Sequence, residues 1–410
     1  MQGVVVVWEL YARTHSSLTL GYVGLVQVIP VFLFAIVAGH IADRYPRKTI
    51  VVITQLLSSL CTILLAVLSS VHAPVSLFLF CLFLGMTCRA FCNPARGAIL
   101  PQIVPAGILA NAVSWDTSVR RVAVMLGQAL GGFLLDWTGR PAFAALLPGV
   151  VVALRTASTA HVNGKPDAAL PAFIYLLTAA CGILSALTMA SIQFHEPHDE
   201  LRSKRQTLEW STLLDGIRYI RTNRIILETI SLDLFAVLFG GATALLPVYQ
   251  KDILHLGPEA LGWMRASSSF GALITAVTCA HMRGFKHPGR AMLWAVFGFG
   301  ISTIVFGLSR NVILSVIALA ALGGLDMVSV VVRQTLIQTL TVNTMRGRVN
   351  AVNAIFVNSS NEIGAFESGM VAHIAGPIFS VVSGGIGSVI IAAAAAIKWP
   401  ALRSYSNARD

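Results

Sequence analysis

The sequence predicts an all-α membrane protein of two six-helix bundles, and three observations carry that expectation. Of the 410 residues, 56% are hydrophobic and 11% charged, with a mean hydropathy of +0.76. Soluble domains carry roughly 25% charged residues, so a water-soluble fold is excluded. The apolar runs reach about 20 residues, the length that crosses a bilayer as helix. Stretches such as FLFCLFLGM, from Phe78 to Met86, are apolar on every side, whereas barrel strands alternate. Finally, the second half repeats spacings of the first. Leu20-Gly21 precede Gly39-His40 as Leu261-Gly262 precede Ala280-His281, and Asn350 follows Arg333 as Asn111 follows Arg96, two residues farther on. A same-direction repeat is one way in which membrane bundles are doubled.

Taken in order, spans are read at 20–42, 49–70, 76–96, 112–136, 169–194, 227–249, 258–282, 291–308, 312–333, 349–373 and 377–398. The opening MQGVVVVWELYA is too short to cross alone and reads as the outer part of a first helix whose beginning is missing. It has no basic leader of the kind that marks a signal peptide. The domains are then an N-terminal bundle at 1–194, with an apolar insertion at 142–168, a cytoplasmic linker at 195–226, and a C-terminal bundle at 227–410. Residues 142–156 are broken by Pro148 and Gly149 and read as a re-entrant or interfacial hairpin; the alternative makes them the true sixth span and displaces 169–194. The linker is the most charged region of the chain, and its His195, Glu196 and His198 read as solvated, not as metal ligands.

A net charge of +11 would suggest nucleic acid in a soluble protein, but in a membrane protein Lys and Arg gather in cytoplasmic loops, so no nucleic-acid partner is expected. With Asp43–Lys48 in the cytoplasm, 18 of the 29 Lys and Arg fall on that side, 6 outside and 5 within spans (Arg89, Arg120, Arg121, Arg265, Arg333), and both termini are cytoplasmic. All 6 cysteines lie in apolar runs without the spacing of a zinc site or disulfide framework. No GxxxxGK[ST], GxSxG or HExxH motif occurs, so neither an enzyme nor a cofactor is expected.

Between spans two and three stands GHIADRYPRK, Gly39 to Lys48. It resembles the GxxxDRxGRR signature of the major facilitator superfamily, with Pro46 where glycine is usual. The resemblance implies a loop that gates the cytoplasmic side through Gly39, Asp43, Arg44 and Arg47, with Arg346 and Arg348 in the same role in the second half. GQALGG, Gly127 to Gly132, places Gly127, Gly131 and Gly132 for close helix packing. It is similar to the antiporter signature GPxxGG, with Gln128 in place of the proline. WELYARTHSSLTLGYVGLVQVIP, FCNPARGAILPQIVP, DLFAVLFGGATALLPVYQKDIL and RGRVNAVNAIFVNSSNEIGAFESG resemble the branch that includes the enterobactin exporter and related secretion permeases. Residues 142–156 have no counterpart there.

What the resemblance implies is a monomeric secondary transporter in the bacterial cytoplasmic membrane. It would export a small organic molecule, siderophore or drug-like, by proton antiport and alternating access. An uptake symporter of the same fold, or a membrane scaffold or sensor that transports nothing, stays open beside it. Ionisable residues inside spans are costly and so are candidates for coupling or substrate binding. Arg89 matches the family's span-four arginine linked to proton coupling, with a structural ion pair as the alternative reading. Glu362 falls near mid-depth of span eleven and is favoured over Glu367, which lies about 140° around the helix, although the two could be reversed. Asp233 and Asp326 complete the set, with ion pairing to Arg265 or Arg333 as the alternative.

Overall fold

The computed structural model describes residues 1–105, 109–140, 171–192, 210–282, 285–342 and 345–405. The expected insertion at 142–168 and the first part of the linker lie outside these residues. Every regular element described is helical. In chain order these are α1 (Gln2–Thr14), α2 (Ser17–Arg44), α3 (Arg47–Ser70), α4 (Val75–Ile103), α5 (Leu109–Gly139), α6 (Pro171–Ser191), α7 (Trp210–Thr222), α8 (Arg224–Phe239), α9 (Pro258–His281), α10 (Pro288–Leu308), α11 (Val312–Leu340), α12 (Arg346–Ala375), α13 (Pro377–Lys398) and α14 (Pro400–Ser404). Two compact units result: one of residues 1–10, 26–123 and 127–209, the other of residues 11–25, 124–126 and 210–410.

In the first unit, α3 packs on α4 and α6, and its pattern inverts that of a soluble helix. Thr54, Ser59, Thr62 and Ser69 are buried, while Ile53, Leu56, Leu57, Leu60 and Leu64 are exposed. Helices in lipid associate through small and hydroxyl-bearing residues and leave large aliphatics to the acyl chains. The hydroxyls cost little there, because Thr54 Oγ1 donates to Ile50 O at 2.7 Å and Thr62 Oγ1 to Ser58 O at 2.9 Å within the helix. Lys48 Nζ reaches Ile192 O just past α6 at 2.8 Å, a cation at the negative end of a helix.

The second unit is closed by glycines. A Cβ on Gly271 of α9 would lie 1.8 Å from Ala320 O of α11, and one on Gly323 of α11 would lie 2.0 Å from Ser268 O of α9, so only hydrogen fits at this seam. Gly300 and Gly385 do the same between α10 and α13. After α8 the chain tightens at Gly240 into a 3-10 turn (Gly241–Leu245) and then widens into a π-turn (Tyr249–Ile253). Pro247 accounts for the irregularity, since it removes an amide donor and crowds the carbonyl four residues back.

Nine helical stretches among the described residues are long and apolar enough to cross a membrane. Two of the expected spans, α9 and α12, have the length but not the hydropathy. Their polar content is concentrated in Arg265 with Ser267, Ser268 and Ser269 on α9, and in the run from Asn358 to Glu362 on α12. The segment read as a solvated linker also contains α7, which packs on α12: a Cβ on Gly216 would come within 3.0 Å of Arg348 O and of Val352.

Candidate functional site

The candidate charged residues within the spans of the second unit fall into two groups. On α11, Asp326, Ser329 and Arg333 share one face by helical spacing. Arg333 forms an ion pair with Asp233 of α8, and Ser329 Oγ donates to the other oxygen, Asp233 Oδ1, at 2.9 Å. Asp233, Ser329 and Arg333 are all buried. A carboxylate without water must be paired and hydrogen-bonded to remain charged, and this one is. Asp326, one turn along, lines the narrow pocket that also touches Asp233 and Ser329. It also lines a neighbouring cavity of about 130 Å³. That cavity is bounded by the break in α8 at Gly240 and Gly241, by Ser268 of α9 and by Asn361 of α12. Irregular backbone at membrane depth is tolerated where it lines such a space.

The second group is Arg265 of α9 and Glu362 of α12. Glu362 stands about halfway along its helix, next to the cavity residue Asn361. The two charges attract one another but form no ion pair in contact among the described residues. The buried Nε of Arg265 donates to no atom there. An unsatisfied buried donor is rare in native proteins and calls for a ligand, water or strain to explain it. Gly24 of α2 seats against this part of α12, where a Cβ would lie 2.7 Å from the Glu362 carbonyl oxygen. Glu367, five residues on, contacts Ser368 Oγ at 3.4 Å.

The structure thus brings Asp233 and Asp326 together around one pocket and places Glu362 beside Arg265. Arg89 belongs to the first unit. It is exposed on the same face of α4 as Asn93 and Arg96, and it makes no ion pair among the described residues. Of the expected gating residues, Gly39 and Arg47 are buried and Arg44 is exposed, while the side chain of Asp43 lies outside the described residues. Arg346 Nε donates to Gln338 O at 3.1 Å, and Arg348 pairs with Asp215 of α7 at 2.9 Å. Gly127 and Gly131 of α5 lie against α1, where a Cβ on Gly131 would come 3.2 Å from Met1 backbone, and Gly132 is buried. Asp116 and Arg120 pair along one helix at 2.5 Å, as their spacing requires.

Sequence reasoning assigned no role to other polar residues. Glu9 is buried and accepts hydrogen bonds from Ser69 Oγ at 2.6 Å and Tyr175 Oη at 2.8 Å. Tyr11 Oη donates to the Asp252 carboxylate. Arg265 entered the reading only as a partner for an aspartate, and Asn361 did not enter it; the run of polar residues around each was the available signal.

Residues 1–365 match the family model described as Major Facilitator Superfamily. Among curated relatives, the chain is 24% identical over 392 residues to the enterobactin exporter EntS of Escherichia coli O1:K1 / APEC, covering 95% of this chain and 85% of that protein. Among solved structures it resembles a bacterial homolog of the human lysosomal transporter Spinster in an inward-facing, occupied conformation. That match has a TM-score of 0.71 at 16% identity, over 99% of this chain and 97% of the other. It also resembles a D-xylose-proton symporter, with a TM-score of 0.64 at 14% identity over 99% and 94% of the two chains. At such identities these structures establish the fold alone, an all-α major facilitator fold.

Proposed function

The chain belongs to the major facilitator superfamily, and we propose on that footing that it is a secondary active transporter that exports a small organic molecule in exchange for protons. A multi-pass membrane transporter is what the family and the fold give. Direction, cargo and coupling ion are the proposal. Export is supported by the relatives named enterobactin exporters, which align along 95% of the chain. They favour a siderophore-like cargo and a bacterial cytoplasmic membrane, with both termini inside as the Lys and Arg distribution requires.

One observation carries the chemical part: the half-made pair of Arg265 and Glu362, on the two helices that reach the cavity lined by Asp326 through Ser268 and Asn361. A guanidinium with an unused donor recognises anionic oxygens, which catecholate and carboxylate ligands provide. Glu362 then serves as the group that gives up its proton when cargo arrives, because a hydroxyl or amide donor of the cargo and the proton compete for the same carboxylate oxygens. Asp326 binds the cargo's polar groups from the opposite wall, and the Asp233–Arg333 pair holds α8 to α11. In this reading Arg89 couples protons in the first unit. Gly39, Asp43, Arg44, Arg47, Arg346 and Arg348 act at the cytoplasmic gate, and the protein works as a monomer.

Labelled enterobactin and inside-out membrane vesicles test this. Accumulation that needs an acid interior and collapses with a protonophore is expected. Accumulation only in right-side-out vesicles would instead establish uptake, and no gradient-dependent movement of enterobactin or of a panel of amphiphilic drugs would leave the scaffold reading.

A further inference from the structure

We propose that the outward face of α7 is a docking surface for the phosphate headgroups of anionic lipids. Among the described residues the helix is held on one side only. Asp215 pairs with Arg348 at 2.9 Å, Gly216 lies on the α12 backbone, Ile220 is buried, and Tyr219 Oη donates to Leu340 O at 3.2 Å while accepting from Val342 N at 3.4 Å. At about 100° per residue, the opposite side carries Leu214, Ile217, Arg218 and Arg221. Leu214 is 59% exposed. Arg218 and Arg221 are exposed too, and neither forms a hydrogen bond or ion pair among the described residues.

Position decides what this face meets. Asn223 follows α7 and caps α8, accepting from Ile226 N at 3.4 Å, and the apolar stretch Arg224–Ile253 begins at the next residue. The helix therefore ends where the chain enters the bilayer, at headgroup level. An aliphatic pair flanked by arginines at that level suits a surface of acyl chains below and phosphates above. Charge complementarity selects anionic lipid over zwitterionic. Because the other side of α7 grips the α11–α12 connection and Arg348, headgroups that hold the helix also hold that connection.

The test uses the full chain in lipid nanodiscs and in mass spectrometry of the intact protein with bound lipid. Each arginine near an anionic surface contributes about fivefold in affinity, so the pair contributes about 30-fold. Wild type is expected to retain phosphatidylglycerol over phosphatidylcholine. Arg218→Gln/Arg221→Gln should lose about 30-fold of that preference. Hydrogen exchange of residues 210–222 should slow in discs containing phosphatidylglycerol and recover in raised salt, a readout that needs no variant. Equal retention of the lipid by wild type and the double variant would overturn the proposal. So would exchange that ignores lipid charge, or displacement of the lipid by free glycerol phosphate, which would assign the face to a soluble anion.

Discussion

Two acid–base pairs within the spans of the second unit, Asp233–Arg333 and Glu362–Arg265, are built from the same chemistry and finished differently. Between α8 and α11, Asp233 and Arg333 are in contact and buried, and Ser329 completes the carboxylate, while Arg333 Nε, like Arg265 Nε, donates to no atom among the described residues. Between α9 and α12, Arg265 and Glu362 feel one another without touching, and a buried guanidinium donor is left unused. A pair in contact at membrane depth is a fastening, since separating it exposes two uncompensated charges to a medium that cannot solvate them. A pair held out of contact is a vacancy for something that arrives and leaves. The difference teaches that intramembrane charge alone does not single out the proposed transport site; a pair held out of contact does.

The comparison breaks most visibly at the fastening. Asp233→Asn strands Arg333 and should lower stability by about 3–5 kcal/mol, read as the unfolding midpoint of the purified protein in detergent. Asp233→Leu combined with Arg333→Met should recover most of that loss. A comparable loss from Glu362→Gln would mean that the two pairs are alike after all.

Gly323→Leu should come next. It drives a side chain into the Ser268 carbonyl, separates α9 from α11, and costs about 1–3 kcal/mol or more. The fraction of folded protein recovered by size-exclusion chromatography measures it.

Glu362→Gln and Arg265→Gln break no contact and should change stability by about 1 kcal/mol or less, yet abolish gradient-driven transport. The pH dependence of cargo binding expected of wild type should flatten in Glu362→Gln, because its only change is the loss of an exchangeable proton. Asp326→Asn should weaken cargo binding and leave that pH dependence in place, as titration calorimetry with enterobactin would show. Smallest is Asp215→Asn, which removes a partly exposed pair worth about 0–1 kcal/mol and should shift the unfolding midpoint little.

The membrane fold was legible in the sequence because hydropathy is a local property: each long apolar run carries its own signal, and α3, α10, α11 and α13 are read from composition alone. The helical nature of α7 was hidden, because its surroundings are charged and its apolar side becomes visible only once α12 is there to cover it. The candidate site was legible in kind but not in pairing. Asp233, Asp326 and Glu362 stand out as acids in apolar runs, but Asp233 and Arg333 are far apart in sequence and could equally have exchanged partners with Arg265 or Asp326. Asp215–Arg348 and Glu9 with Ser69 and Tyr175 were beyond reach for the same reason, since a contact between distant segments leaves no trace in either.

Proton release on cargo binding tests the open pair most directly. Enterobactin is added to the purified, weakly buffered protein, and the pH change is followed with an indicator dye. Competition between cargo donors and the proton at the Glu362 carboxylate predicts that wild type and Asp326→Asn release protons when saturated and that Glu362→Gln releases none. Undiminished release from Glu362→Gln would contradict the assignment of this pair as the exchange site.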